Sequence, residues 1–147
     1  MTGGLILDTS VLSALAPGRQ EALTLVGEQL RSSAGSNYFS VITISEIQQG
    51  IEKLRRAGGV ERADKLSVWL TTLVAVYGNR VLQIDNEIAF ESGILSDKAT
   101  AIGKHPGMPD ILIAATAKMR DLTLSTRNGR HFEPLGIQWQ DPFDVGK

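Results

Sequence analysis

The chain has 147 residues, 42% of them hydrophobic and 21% charged, and its formal net charge at pH 7 is −1. This composition is typical of an ordered globular protein, and a nearly neutral chain is not expected to coat nucleic acid by charge alone. The absence of cysteine excludes disulfides and thiolate-bound zinc. The N-terminus lacks a signal-peptide pattern, and no apolar run approaches the roughly 18 residues of a membrane helix. We therefore expect residues 1–147 to form one domain of a cytoplasmic protein with no membrane contact.

Hydrophobic periodicity and turn residues predict short apolar strands interspersed with helices. Predicted strands cover residues 5–7, 38–41, 81–84, 122–125 and 137–139. Predicted helices cover residues 11–16, 19–32, 43–57, 61–77, 86–99 and 109–119, with loops at 32–37 and 102–107. Because strands alternate with helical segments, the chain is expected to be an α/β protein with a parallel sheet.

Asp8 directly follows the first predicted strand, whose three aliphatic residues suit the centre of a parallel sheet covered on both faces. Ligands of open α/β sheets bind beyond the carboxyl ends of the strands, where Asp8 is expected to lie. An alternative role for Asp8, or for Ser10, is to cap the helix that follows. This stretch therefore predicts either an acid that faces a ligand or a helix cap.

Two further acids, Glu46 and Asp110, are predicted at helix starts near the same edge of the sheet. Three carboxylates that meet there repel one another unless they are protonated or bridged by a cation. Oxygen ligands without cysteine suit Mg²⁺ or Mn²⁺, which can activate water for phosphodiester hydrolysis. Each acid also has a structural alternative, because Thr43 and Glu46 have the spacing of a capping box and the helix dipole favours Asp110.

Five short segments carry the most specific pattern in the chain. They are LILDTS at residues 5–10, ISEI at 44–47 followed by Gly50, PDILIAATA at 109–117, STRN at 125–128 and FEPLG at 132–136. In their order and separation, these segments resemble the PIN-domain family, and in particular the VapC/FitB-type toxins of bacterial toxin–antitoxin pairs. The resemblance extends from residue 5 to about residue 143.

The resemblance implies a Rossmann-like α/β/α sandwich with a central, mostly parallel sheet, and an endoribonuclease that depends on Mg²⁺ or Mn²⁺. It also implies a homodimer that a cognate antitoxin holds inactive, the antitoxin being the subunit that binds operator DNA. Asp8, Glu46 and Asp110 match the catalytic acids that bind metal in the family. Ser10 and Thr126 match hydroxyl positions that border this site, and Asn128 is expected to support them with its amide.

His131 stands where the family usually has a fourth acid. Loss of this negative charge is expected to weaken a second metal site more than the first, because the second site has fewer carboxylates. Our hypothesis is that one ion suffices or that His131 itself binds the metal, and imidazole tolerates Mn²⁺ better than Mg²⁺. A paralogue that no longer cuts RNA is another interpretation of the same residue.

Three basic residues, Lys104, Arg127 and Arg130, lie in predicted loops at the same end of the sheet. Such residues can bind RNA phosphates without regard to sequence and in a salt-dependent manner. Ordinary solvated charge is the simpler interpretation of any one of them. A second basic cluster at residues 53–65 alternates with acids, which favours a salt-bridged surface over a nucleic-acid site.

The sequence thus predicts a metal-dependent endoribonuclease toxin with an RNA substrate and an antitoxin partner. Attack by water would leave 5′-phosphate and 3′-hydroxyl ends, whereas attack by the 2′-hydroxyl would leave a cyclic phosphate. One alternative is a catalytically weakened PIN-fold protein that acts through its antitoxin and operator complex. A third interpretation, phosphotransfer through Asp8 as nucleophile, is weaker because residues 9–12 offer no second acid.

Overall fold

A computed structural model describes residues 3–18 and 36–144 of the chain. The strands are β1 (Leu5–Leu7), β2 (Asn37–Ser40), β3 (Val81–Leu82), β4 (Thr123–Ser125) and β5 (Trp139–Gln140). The helices are α1 (Thr9–Ser13), α2 (Val41–Arg56), α3 (Val60–Tyr77), α4 (Asn86–Ala101) and α5 (Met108–Met119). Three 3₁₀ turns cover Gly78–Arg80, Gly129–His131 and Glu133–Leu135. None of these described helices is long and apolar enough to cross a membrane.

The five strands form one sheet in the order β3-β2-β1-β4-β5, and all four pairings are parallel. Leu5 of β1 pairs with Asn37 of β2 on one side and with Thr123 of β4 on the other. The chain therefore winds outward from β1 in two opposite directions, first through β2 and β3 and later through β4 and β5. Such a reversal creates a crevice at the carboxyl ends of the central strands.

A hydrophobic core covers each face of the sheet, because successive residues of β1 point to opposite faces. Ile6 packs into one core with residues of α4 and α5, among them Leu95 and Ile111. Leu5 and Leu7 pack into the other core, to which α1, α2 and α3 contribute. These three layers confirm the α/β/α sandwich expected from the resemblance.

Helix α1 begins two residues earlier than predicted because Asp8 caps it. The Asp8 carboxylate accepts a hydrogen bond from the backbone N–H of Val11 at 3.1 Å. The helix ends at Ser13, and turns replace the helix predicted for residues 14–16. The capping alternative for Asp8 is therefore correct.

The predicted capping box at Thr43 and Glu46 is wrong, because α2 begins at Val41 and its cap is Ser40. The Ser40 hydroxyl accepts a hydrogen bond from the backbone N–H of Ile42 at 3.0 Å. The chain passes from β2 into α2 without an intervening loop, so Thr43 and Glu46 lie inside the first two turns. Capping no longer explains Glu46, and its side chain needs another explanation.

The remaining differences from the predicted elements concern their ends. β2 starts one residue before 38, and β3 spans two residues instead of 81–84. β4 starts one residue after 122, and the last strand lies at Trp139–Gln140 instead of 137–139. Strand ends are set by pairing with a neighbouring strand, which local composition does not report. The predicted helix at 19–32 and most of the loop at 32–37 lie outside the described residues.

The basic cluster at 53–65 lies on α2 and α3 and is paired with acids, as predicted. Arg55 forms an ion pair with Asp64 at 2.7 Å, and Lys65 lies 3.8 Å from Glu61. Three of these side chains are largely exposed and that of Arg55 is about one third exposed, so these pairs contribute little to stability. The cluster is a salt-bridged surface.

Candidate active site

Asp8 lies at the carboxyl end of β1, and both of its carboxylate oxygens accept hydrogen bonds. Oδ1 accepts from the Ser10 hydroxyl at 2.6 Å and from the backbone N–H of Val11. Oδ2 accepts from the hydroxyl of Thr126, which follows β4. Asp8 therefore caps α1 with one oxygen and spans the crevice between β1 and β4 with the other, so its two predicted roles are compatible.

Thr126 connects Asp8 to the loop that follows β4. Its side chain is fully buried, and the oxygen that donates to Asp8 also accepts from the backbone N–H of Asn128 at 3.0 Å. Asn128 is exposed, and its contribution comes from the main chain rather than from the predicted side-chain amide. The two hydroxyls expected beside the acids, those of Ser10 and Thr126, thus both bind Asp8.

Glu46 is held by hydroxyl groups. The Thr9 hydroxyl lies within hydrogen-bond distance of Glu46 Oε1 and 3.1 Å from the hydroxyl of Thr43. Thr9 has a single hydroxyl proton and a carboxylate can only accept, so Thr9 donates to Glu46 and accepts from Thr43. Sequence analysis gave Thr9 no role. The spacing of Thr43 and Glu46, interpreted as a capping box, instead marks two residues on one face of α2.

Asp110 lies in the first turn of α5, and the pKa of its carboxyl group is raised above the usual value. Partial burial of the carboxyl group is the main cause, and the negative charge of Asp8 adds to it, whereas His131 lowers the pKa. The residue as a whole remains exposed, so solvent reaches this acid from the open side of the crevice. Asp8 and His131 therefore both lie within electrostatic reach of Asp110.

The position of His131 depends on a close contact earlier in its 3₁₀ turn. Gly129 opens this turn, is buried, and lies against the indole ring of Trp139. A Cβ added at Gly129 would lie 1.8 Å from that ring, so only glycine permits the approach. The contact fixes the turn against β5 and thereby sets where the exposed His131 lies relative to Asp110. Sequence analysis assigned neither Gly129 nor Trp139 to the site, and the glycine in a polar loop was the only signal.

The three basic residues predicted to bind RNA are exposed but have different surroundings. The guanidinium carbon of Arg127 lies 3.7 Å from the centre of the Phe143 ring. Arg127, Arg130 and His131 line a common groove with a volume of about 350 Å³. Lys104 lies in the loop before α5 and does not line this groove.

A second groove of about 330 Å³ starts at Thr9 and Glu46 and follows α1, α2 and α3. Its walls are mainly apolar and include Ile47, Leu54, Leu66 and Trp69, together with the basic Arg62. Glu46 thus lies where the end of β1 meets an apolar surface.

The structure brings Asp8 and Asp110 together but holds Glu46 against Thr9. Within residues 3–18 and 36–144, no three His, Cys, Asp or Glu side chains are arranged so that they could hold a metal ion. The chemistry of the donors nevertheless fits a hard divalent cation, because carboxylate oxygens predominate. Partial burial, together with the charge of Asp8, raises the pKa of Asp110 and disfavours its ionised form, which a bound cation would stabilise. The acids therefore fit Mg²⁺ or Mn²⁺ in kind.

Residues 5–135 match the family model of the PIN domain. The chain belongs to the PIN-domain family. The match begins at β1, ends at the 3₁₀ turn Glu133–Leu135 and includes Asp8, Glu46, Asp110 and His131.

Named relatives of this PIN-domain chain are plasmid-stability proteins, ribonucleases and toxins. The chain is 32% identical over 143 residues to the plasmid stability protein StbB of Pseudomonas syringae pv. tomato, covering 96% of this chain and 99% of StbB. It is 27% identical over 142 residues to the VapC ribonuclease Y4jK of Sinorhizobium fredii, covering 95% and 98%. It is 28% identical over 141 residues to toxin FitB of Neisseria gonorrhoeae, again covering 95% and 98%.

Solved structures with the same fold include complexes of FitB. The FitAcB structure from Neisseria gonorrhoeae superposes with a TM-score of 0.82 at 28% identity, covering 96% of this chain and 99% of that one. The structure of FitAB bound to an IR36 DNA fragment gives 0.81 at 26% identity, covering 97% and 98%. These similarities confirm the resemblance to VapC/FitB-type PIN proteins.

Proposed function

We propose that this PIN-domain protein is the endoribonuclease toxin of a toxin–antitoxin pair and that it hydrolyses RNA with a bound Mg²⁺ or Mn²⁺ ion. The observation that carries the proposal is the mutual influence of Asp8 and Asp110 at the carboxyl edge of the sheet. Carboxyl groups with a shifted pKa in a crevice are typical of functional sites, and such acids can bind a cation that acts on phosphates. The relatives named VapC ribonuclease and toxin FitB support this activity and this biological role.

Asp8, Glu46 and Asp110 would hold the ion, which supplies a bound water of lowered pKa and offsets the charge of the phosphate. Ser10 and Thr126 orient Asp8, because both donate to its carboxylate. Thr9 does the same for Glu46. His131 adds an imidazole beside Asp110, and as a ligand it would favour Mn²⁺ over Mg²⁺. Because the pKa of Asp110 is raised, protonation of this acid competes with metal binding as the pH falls.

Cleavage of a mixed cellular RNA pool by the purified protein, without antitoxin, tests the proposed activity. We expect discrete cuts in Mg²⁺ or Mn²⁺, no cuts in EDTA, and no cuts by Asp110→Asn, which also excludes a contaminating ribonuclease. The new ends should carry 5′-phosphate and 3′-hydroxyl groups. Cyclic phosphate ends, or cutting that persists in EDTA, would contradict hydrolysis by a metal-bound water.

The preference for manganese is tested by comparing the wild type with His131→Asp. If His131 binds the ion, the ratio of the rates in Mn²⁺ and Mg²⁺ should be higher in the wild type, because the substitution restores an oxygen ligand. Equal ratios in the two proteins would show that His131 does not select the metal.

An antitoxin is the proposed protein partner, and operator DNA would be bound only through it. The complexes FitAcB and FitAB with DNA support this assembly. The apolar groove between α1, α2 and α3 offers a surface for such a partner and reaches Glu46. We expect the complex with its antitoxin to bind operator DNA and to leave RNA uncut, whereas the isolated chain should do the reverse. Specific DNA binding by the isolated chain would contradict this division of roles.

A homodimer is proposed from the exposed apolar face of α4. Phe90 and Ile94 lie one turn apart on this helix and are 77% and 50% exposed. Contiguous exposed apolar side chains often mark a protein interface. Sedimentation of the isolated chain should give a dimer, and Phe90→Asp should give a folded monomer. An unchanged dimer in Phe90→Asp would place the interface elsewhere.

The second candidate function is a PIN-fold protein that binds its antitoxin without cutting RNA. The histidine in the place of the fourth acid favours it. A folded protein that binds antitoxin but cuts RNA with neither ion would establish this alternative.

A further inference from the structure

The groove beside the acids shares His131 with the hydrolysis described above, but Arg127, Trp139 and Asp141 have no part in that chemistry. It lies between the loop after β4 and the segment that begins with β5, and its volume is about 350 Å³. Arg127 and His131 line it on the side of the loop, and Trp139 and Asp141 line it on the other side. Small-ligand sites usually measure roughly 300–1,000 Å³, so the groove suits a ligand of the size of one nucleotide.

Arg127 gives this groove a flat cationic surface. Its guanidinium carbon lies 3.7 Å from the centre of the Phe143 ring. The backbone N–H of Phe143 donates to Asp141 Oδ1 at 2.8 Å, which fixes the segment that carries the ring. The ring covers one face of the guanidinium while the residue stays exposed, so the other face can meet a second planar group. RNA bases stack on arginine in this manner.

Trp139 gives the groove an aromatic wall that is already in position. The indole packs against the core beneath β4 and β5, and Gly129 lies against it from the loop side. A wall held from two sides loses little conformational freedom when a ligand binds, which favours affinity.

The charges that line the groove balance, because Arg127 and Arg130 are matched by Asp141 and Asp144. A surface that serves only to attract phosphates would carry excess positive charge. Carboxylates are suited to base amino groups, such as the N4 amine of cytosine. Asp141 uses Oδ1 for the Phe143 N–H and retains a second carboxylate oxygen. The groove therefore suits a base better than a phosphate.

The groove adjoins the acids at two points. Thr126 donates to Asp8 and Arg127 is the next residue, while His131 lies within electrostatic reach of Asp110. We propose that this groove binds the base of a nucleotide next to the scissile phosphate, and that Arg127, stacked on Phe143, determines the sequence preference there. The inference rests on the proposed RNA substrate, and its occupant is single-stranded RNA, whose unstacked bases are free to enter a groove.

Cleavage of a random single-stranded RNA pool, followed by sequencing of the ends, tests the inference. The wild type should show a base preference at one position beside the cut. Arg127→Lys keeps the charge but removes the plane, and Phe143→Leu removes the ring that holds Arg127 flat. Both variants should weaken the preference at this position about tenfold and leave the other positions unchanged, as expected for the loss of one stacked base.

Arg56→Lys is the matched control, because it makes the same chemical change at an exposed residue on α2. It should leave the preference unchanged. The slope of RNA affinity against salt should also stay constant in Arg127→Lys, since no charge is lost. Thermal unfolding checks that Phe143→Leu is folded, because this ring also packs on the core.

The outcomes separate this inference from the proposed activity. If the wild type cuts RNA and Arg127→Lys and Phe143→Leu show the same base preference, the nucleotide site in the groove is contradicted. The proposed ribonuclease activity would still stand. If the wild type does not cut with either ion, fluorescence anisotropy with labelled eight-nucleotide RNAs decides. An affinity about tenfold lower in both groove variants, but not in Arg56→Lys, would support the nucleotide site, and equal affinities would overturn it. Loss of antitoxin binding with unchanged RNA binding would make the groove a protein contact and would also overturn it.

Discussion

At the two ends of the α4–α5 helix pair, the pKa values of two aspartate side chains are shifted in opposite directions. At one end, Asp85 caps α4 through the backbone N–H of Ile88 at 2.9 Å and forms an ion pair with Arg120 after α5. The hydrogen bond to Ile88 is the main reason why the pKa of Asp85 is lowered, and Arg120 adds to it. At the other end, Asp110 lies in the first turn of α5, and burial and Asp8 raise its pKa.

Both acids lie at helix N-termini, where the helix dipole favours a carboxylate. The dipole therefore cannot explain the difference. Asp85 is faced by a backbone N–H and an arginine, whereas Asp110 is partly buried and faces a second carboxylate. Between the two ends, the largely buried Glu91 of α4 pairs with Lys118 of α5 at 2.8 Å. Ion pairs thus join the helices along their length and at one end, while the acid with the raised pKa lies at the crevice. Acids with such shifts are typical of functional sites.

The largest expected effect is on RNA cleavage, which should depend on Asp110 but not on Asp85. Asp110→Asn should lower RNA cleavage at least about 100-fold, since removal of one group that stabilises transition-state charge commonly costs this much. Asp85→Asn should leave cleavage unchanged within about twofold, because asparagine caps a helix as well as aspartate. Single-turnover cleavage measures both rates. Comparable losses in the two variants would mean that Asp110 acts through folding and that the comparison fails.

The next largest expected effect is on metal affinity. Hydroxyl groups hold the acids of the site, whereas an ion pair with Arg120 holds Asp85 at the other end. Thr9→Val removes the donor to Glu46 and should weaken Mn²⁺ binding about 10–100-fold, as losses of outer-shell hydrogen bonds to ligands commonly do. Thr9→Ser keeps the hydroxyl and should bind nearly as the wild type does. Titration of Mn²⁺ followed by electron paramagnetic resonance gives the affinities. Equal affinity in Thr9→Val would show that Glu46 does not depend on this bond.

The packing that positions His131 can be tested by stability. Gly129→Ala places a Cβ against the Trp139 ring and should lower the free energy of unfolding by about 1–3 kcal/mol, the usual cost of overpacking. Gly50→Ala is the matched control, because no atom lies within 4 Å of its added Cβ, and it should stabilise α2 by about 0.5–1 kcal/mol. Urea unfolding measures both. If Gly129→Ala has the same free energy of unfolding as the wild type, the turn moves freely and does not fix His131.

Much of the fold could be predicted from the sequence, because its central strand and long helices follow local hydrophobic patterns. Three consecutive aliphatic residues followed by Asp8 mark the central strand. Helical periodicity located both ends of α3, α4 and α5 to within two residues. The capping box failed because two hydroxyls compete for one helix start. Ser40 stands at the strand end and Thr43 lies three residues later, and only tertiary pairing of β2 decides between them.

The contacts that shape the site were beyond such reasoning because they join distant residues. Thr9 and Glu46 are 37 positions apart, and Thr126 and Asp8 are 118 positions apart. The motifs located these acids and Thr126, since they belong to the matching segments. The stacking of Arg127 on Phe143 had no comparable signal, because a single aromatic residue near the C-terminus is as compatible with core packing as with a site.

The smallest expected effect is the pH dependence of stability, measured without metal. The pKa of Asp85 is lowered by folding, so its charge stabilises the protein above the ordinary value of 3.8, and this stability is lost as the pH falls. The pKa of Asp110 is raised, so its contribution is present below 3.8 and is lost as the pH rises through the folded-state pKa. At about pH 7, Asp85→Asn should therefore unfold at a lower temperature than the wild type, and Asp110→Asn at a higher one.

Both differences should shrink as the pH falls and each wild-type acid becomes protonated and resembles its amide variant. The difference at Asp110 should shrink first, because its pKa is raised, and that at Asp85 only below the ordinary value of 3.8. Thermal unfolding in EDTA across this range gives the two curves. Opposite signs at neutral pH are the decisive result, because any general effect of removing a negative charge from a chain of net charge −1 would shift both variants in the same direction. Equal signs would mean that burial and the charge of Asp8 do not destabilise the ionised Asp110. The two ends of the helix pair would then differ in function without differing in how these charges affect stability.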